Sequence, residues 1–137
     1  MRRDGSRLRE LTGHEPFSGP VEDTPDYSPD GRHIVFCRGC AGGGDGAIHR
    51  IRADGSHRRR VLRSAHAANP TYAPDGDRIV LTIRTTIQPY GSCSDLYTMS
   101  PNGSNRSRIS NNCAGLGAFG SGGFAAEPTW QPLPRSR

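Results

Sequence analysis

The chain has 137 residues and a formal net charge of +5, and all 18 of its Lys and Arg residues are arginine. Apolar residues make up 32%, below the ~45–50% of ordinary globular chains, and no run approaches the ~18 consecutive apolar residues of a membrane-spanning helix. With 18 Gly and 11 Pro, the composition points to an ordered, turn-rich chain. Its size suits one small domain or part of a larger one.

The opening stretch, MRRDGSRLRE, is basic but has no apolar segment behind it. It is therefore not a signal peptide as it stands, and if the protein is exported the signal is expected upstream. Three Gly-Ser turns punctuate the chain: RDGS at Arg3–Ser6, ADGS at Ala53–Ser56 and PNGS at Pro101–Ser104. Two Pro-Asp-Gly motifs interleave with them, SPDG at Ser28–Gly31 and APDG at Ala73–Gly76, and a Pro-x-aromatic mark recurs as Pro25/Tyr27, Pro70/Tyr72 and Pro128/Trp130. Three marks recurring in the same order, 45 to 58 residues apart, identify an internal repeat.

Each mark has a physical reading. Asp-Gly or Asn-Gly between apolar alternations signals a hairpin, because glycine supplies the positive φ that the turn needs. Proline before Asp-Gly presets the first corner. The residues Pro29, Asp30, Gly31, Asp54, Gly55, Pro74, Asp75, Gly76, Asn102 and Gly103 are accordingly read as turn formers. Asp26 and Asp77 are read the same way rather than as paired acids. In chain order, a lone strand at Arg7–Leu11 precedes a unit with strands at Pro25–Ser28, His33–Arg38, Ile48–Ala53 and Arg59–Leu62. A second unit follows at Pro70–Ala73, Arg78–Thr85, Asp95–Ser100 and Arg106–Ser110, and then a lone strand at Glu127–Gln131. No segment has apolar residues at helical spacing. Four-stranded antiparallel repeats of this length are propeller blades, so an all-β propeller is expected, with blades over 24–63 and 69–110, half-blade strands at 7–11 and 127–131, and a tail at 135–137.

The run PDYSPDGRHIVF, followed by IHRIRADGSHRRRVL, resembles the TolB-type, WD40-like propeller repeat, and the likeness extends from Arg3 to Pro132. Two departures stand out: Ala73 replaces the usual serine, and EPTWQPLP lacks Asp-Gly and a second strand. The resemblance implies a ring of six blades, and extracytoplasmic protein–protein contacts in a bacterial cell envelope. Propellers have at least ~4 blades. Two blades and two spare strands therefore imply missing blades from a longer chain, self-association into a ring, or a truncated remnant.

In an up-and-down blade the first and third turns share one end and the remaining loops share the other. Tight turns occupy the first end, whereas the long loops 39–47, 64–69, 86–94 and 111–126 occupy the second. Long loops on a rigid scaffold are where binding normally sits. All four cysteines fall on or beside that end. Disulfides Cys37–Cys40 and Cys93–Cys113 are expected, with free loop thiols the alternative, and disulfides would imply an oxidising compartment. A zinc site lacks a second close cysteine pair, and His33, His49, His57 and His66 show no ligand spacing with the cysteines. A thioredoxin-like CxxC lacks its βαβ context. The glycine-rich loops Gly39–Ala47 and Gly115–Ala126 lack the Lys-Ser/Thr of a phosphate loop, and no Gly-x-Ser-x-Gly nucleophile is present. Phe119 and Phe124 in the second of these loops are either tucked beneath it or exposed for a partner. The densest basic group, Arg58, Arg59, Arg60 and Arg63, lacks interleaved aromatics and reads as a solvated outer edge, not a nucleic-acid surface. The expected function is thus a non-catalytic scaffold for a protein or peptide, without metal or cofactor. The alternative is the accessory propeller of a prolyl-oligopeptidase-type serine peptidase.

Overall fold

The computed structural model describes residues 6, 8–13, 19–40, 46–64, 66–87, 91–113 and 128. The strands are β1 (Glu22–Tyr27), β2 (His33–Arg38), β3 (Ala47–Arg52), β4 (Arg59–Arg63), β5 (Ala67–Tyr72), β6 (Ile79–Ile87), β7 (Gly91–Met99) and β8 (Ser107–Arg108). They form two antiparallel meanders, β1-β2-β3-β4 and β5-β6-β7-β8. The fold is all-β, two blades in sequence. The first strand of each blade begins earlier than its Pro-x-aromatic mark suggests, because pairing continues past a bulge in both blades: between Asp23 and Asp26, and between Ala68 and Thr71.

The central strands carry the residues that fit a pleated, half-buried surface: isoleucine, valine and phenylalanine in β2, and isoleucine, valine, leucine and threonine in β6. Register then assigns the faces. Val35 lies opposite Arg50 and Cys37 opposite Ile48 on one face of the first blade. Ile34 opposite Ile51 and Phe36 opposite His49 form the other. The face with Val35, Cys37 and Ile48 packs onto Ala67, Tyr72, Ile79, Leu81 and Met99 of the second blade, and this inter-blade layer is the main core. Full burial of each large aliphatic side chain there contributes about 1.5–3 kcal/mol. Strand β5 lies across β1, β2 and β3, so β1 and β5 are the inner strands.

The opposite face of the first blade holds a smaller cluster of Ile34, Phe36 and Ile51, closed by Leu11. Residues 8–11, expected as a strand, enter no ladder among the described residues. Leu11 packs on this apolar face while Leu8 is exposed, and Arg9 reaches the Asp54 carbonyl. The strand expected at 127–131 lies outside the described residues except for Pro128, and so does Trp130.

Candidate binding face

Four turns gather at one end of the blades. In each, the glycine sits at positive φ: 68° at Gly31, 86° at Gly55, 80° at Gly76 and 91° at Gly103. Each glycine N–H donates to the carbonyl three residues back, at 2.8–2.9 Å. The residue before each glycine uses a side-chain oxygen to accept the N–H two residues on: Asp30 from Arg32, Asp54 from Ser56, Asp75 from Asp77 and Asn102 from Ser104. Pro29 and Pro74 stand at the first corner of their turns, and Pro29 touches the position a side chain on Gly76 would fill. Hydrogen bonds from Ser28 and from the Arg32 backbone hold the Asp30 carboxyl below its ordinary range, and bonds from Ser56 do the same for Asp54.

Asp26 is not a turn former. Its Oδ2 accepts Thr71 Oγ1 at 2.9 Å and the Tyr72 backbone N–H at 2.7 Å, and so ties inner strand β1 to inner strand β5. The residues at the bulges, Thr24 and Asn69, have φ of 49° and 52° and immediately precede Pro25 and Pro70. A β-branched residue at positive φ is costly. The fold accepts it here because both blades use the same kinked inner strand. These kinks line an open cleft of ≈ 330 Å³ with Asp26, Thr71 and Pro128. Tyr27 is exposed, whereas Tyr72 at the corresponding position is buried between the blades, and burial raises its phenol above the ordinary value.

The other end is built differently. Cys93 in β7 and Cys113 beyond β8 come together with their Cα atoms 5.5 Å apart, within the range of a disulfide. Next to them Asp95, only 2% exposed, accepts Ser110 Oγ at 2.9 Å and the Asn112 N–H at 2.7 Å, and Arg108 approaches at 3.4 Å. Asn112 in turn donates to the Ser94 carbonyl. The disulfide and the buried carboxylate together pin the chain at the point where it leaves the second blade. The loops at 41–45, 88–90 and 114–126, with Phe119 and Phe124, lie outside the described residues.

Cys37 and Cys40 form the second pair, with Cα atoms 6.0 Å apart and the Ala67 carbonyl against both sulfurs. Asp23 brings an oxygen within 4.8 Å of these sulfurs, and none of the histidines joins this group among the described residues.

Cationic side chains dominate the turn end of the first blade. His33, Arg50, Arg52, His57, Arg58 and Arg59 line an open cleft of ≈ 390 Å³. Partial burial, then the charges of Arg50, Arg52 and Arg59, hold the His33 imidazole below its ordinary value, although Asp30 pulls the other way. His49, stacked on Phe36, is held down by burial and by Arg58, Arg38 and Arg60. Arg59, Arg60 and Arg63 are exposed on the outer strand β4, as a solvated edge requires; the convergence of Arg59 with Arg50 and Arg52 of β3 is not part of that reading. The signal lay in Arg50 and Arg52 alternating along one strand, two residues apart and therefore on one face.

No protein-family profile matches the chain. A 59-residue segment, 42% of the chain, is 44% identical to an uncharacterised protein of Agrobacterium fabrum, of which it spans 20%. The structure is similar to TolB from Acinetobacter baumannii, with a TM-score of 0.53 and 17% identity over 68% of this chain and 22% of that one. It is also similar to an acylaminoacyl peptidase from Pyrococcus horikoshii, with a TM-score of 0.53 and 14% identity over 64% of this chain and 17% of that one. At these identities the likeness concerns the fold, and the chain spans about a fifth of the length of the proteins it matches. Two successive four-stranded antiparallel meanders packed on each other, similar to parts of these proteins, give the chain a partial β-propeller fold like that of TolB.

Proposed function

We propose that the chain is a non-catalytic binding scaffold that engages a protein or peptide at the end carrying the Cys93–Cys113 pair. The observation that carries this reading is the double anchorage of the segment 110–113, by that pair and by Asp95, at the root of the chain's longest connection. Fixing the base of a long loop lowers the conformational entropy lost when the loop meets a ligand. The turns of the opposite end are short, and their Asp and Asn side chains accept hydrogen bonds from their own backbone. Two cysteine pairs favour an oxidising, extracytoplasmic setting.

The test is a displayed peptide library selected against the oxidised chain. Selected peptides should lose binding to Asn112→Arg and retain it with Asp77→Arg at the turn end. Peptides blocked by the second substitution and indifferent to the first would refute the assignment of this end. A propeller serving a serine peptidase would instead show a Gly-x-Ser-x-Gly hydrolase domain in the same reading frame.

A further inference from the structure

The repeat supplies an internal control for the cationic cleft. Superposing the blades by their turns places Thr98 where the first blade has Arg50, Ser100 where it has Arg52, and Ser107 where it has Arg59. In the second blade Thr98 and Ser107 are direct cross-strand partners joined by a 3.1 Å hydrogen bond. In the first blade the same two positions are Arg50 opposite Arg59. Like charges directly opposite each other destabilise a sheet. His33, opposite Arg52 in the register of β2 and β3, adds a fourth basic group. The fold itself therefore does not require cations at positions 50, 52 and 59, whereas His33 corresponds to Arg78 of the second blade.

Arg50, Arg52 and Arg59 make no ion pair among the described residues, and the buried Nε of Arg50 has no hydrogen-bond acceptor. Asp30 and Asp54 beside the cleft accept hydrogen bonds within their own turns, and Asp75 and Asp77 line a neighbouring cleft with Arg50 and His33. Of the other cleft residues, Arg58 is paired with Glu22 at 3.0 Å and lies over the Phe36 ring, and His57 contacts Ser56. Guanidinium forks converging without a carboxylate match an oxyanion with several acceptor oxygens.

We propose that His33, Arg50, Arg52 and Arg59 form a binding site for a small, multiply charged oxyanion of the phosphate or phosphomonoester class. This site lies at the end opposite the anchored loop and is independent of it. Calorimetric titration of the oxidised 137-residue chain with pyrophosphate, at a constant ionic strength of about 0.15 M to screen diffuse attraction, should give one saturable site. The double variant Arg50→Thr with Arg59→Ser installs the second blade's own pair. It should lose at least about tenfold in affinity, as expected for lost charge-assisted bidentate contacts, while its unliganded melting temperature rises. Arg52→Ser should also weaken binding. Arg60→Ser, at the neighbouring position on the opposite face of β4, should leave it unchanged.

The proposal is overturned if the double variant binds pyrophosphate as well as the parent chain, if Arg60→Ser weakens binding equally, or if chloride at the same ionic strength reproduces the heat. It is also overturned if a single-stranded oligonucleotide outcompetes pyrophosphate with the loss spread over Arg60 and Arg63, since that pattern describes a nucleic-acid surface. Loss of the site with the peptide binding of the other end intact would leave the proposed function standing, and the converse would leave this site standing.

Discussion

Gly31 and Gly103 occupy equivalent positions in tight turns, at φ of 68° and 91°, yet their surroundings differ. A Cβ on Gly31 would meet nothing within 4 Å. Replacing it by alanine should therefore cost only the left-handed backbone strain, about 1–2 kcal/mol. A Cβ on Gly103 would run into the carbonyl of Val61 in β4 of the first blade. Backbone cannot swing aside as a flexible side chain can, so the blades must separate locally, and overpacking of this kind adds about 1–3 kcal/mol. Gly103→Ala should thus destabilise the chain by roughly 2–5 kcal/mol, the sum of those two terms. Gly55→Ala, where the nearest atom is Leu11 Cδ2 at an ordinary 3.5 Å, should behave like Gly31→Ala. Urea denaturation followed by tryptophan fluorescence and circular dichroism measures the difference, provided the slope of the transition is unchanged. Equal losses for Gly31→Ala and Gly103→Ala would refute the close approach of the second blade's turn to β4, and with it the inter-blade packing described here.

Asp26→Ala removes the acceptor for Thr71 Oγ1 and the Tyr72 N–H and should cost about 1–3 kcal/mol. Asp26→Asn retains one acceptor oxygen and should cost less in the same denaturation assay, and equal losses would contradict the hydrogen-bond account. Asp95→Ala should destabilise the chain by about 2–3 kcal/mol, the cost of losing charged hydrogen bonds to Ser110 and Asn112. Combined with Cys93→Ser and Cys113→Ser, it should cost less than the sum of the separate losses, because both anchor one segment; strict additivity would argue against a shared anchor. Stability should fall as pH drops from 7.5 toward 5.5, in a window chosen around the ordinary imidazole range of about 6.5. His33 and His49 are held below that value in the folded chain, so the unfolded chain binds more protons there and acid favours it. A urea midpoint that is flat or rises across that window, or a dependence unaffected by His49→Asn, would contradict the burial and charge environment of these residues.

Much of the architecture was legible from short-range chemistry. A turn is specified by three or four neighbouring residues, so Pro29-Asp30-Gly31 and Asn102-Gly103 announce their hairpins wherever they occur, and their repetition announces the blades. The uninterrupted apolar run Ile34–Cys37 in β2 likewise marks a strand buried on both faces. Other features depend on residues far apart in sequence. Asp26 looks like one more turn aspartate until the packing of β5 on β1 sets Thr71 and Tyr72 beside it. The clash that makes Gly103 irreplaceable comes from Val61, on the other blade.

The cation cleft shows the same division. The amino-acid sequence alone determined that arginines recur through β3 and β4, and that the equivalents of Arg50, Arg52 and Arg59 in the second repeat are Thr98, Ser100 and Ser107. Only the antiparallel register of β3 with β4 set Arg50 directly opposite Arg59. The physical reason is one of range. Turn and strand preferences act between neighbouring residues, whereas charge convergence and inter-blade contact depend on distances that come into being only when the two sheets are packed.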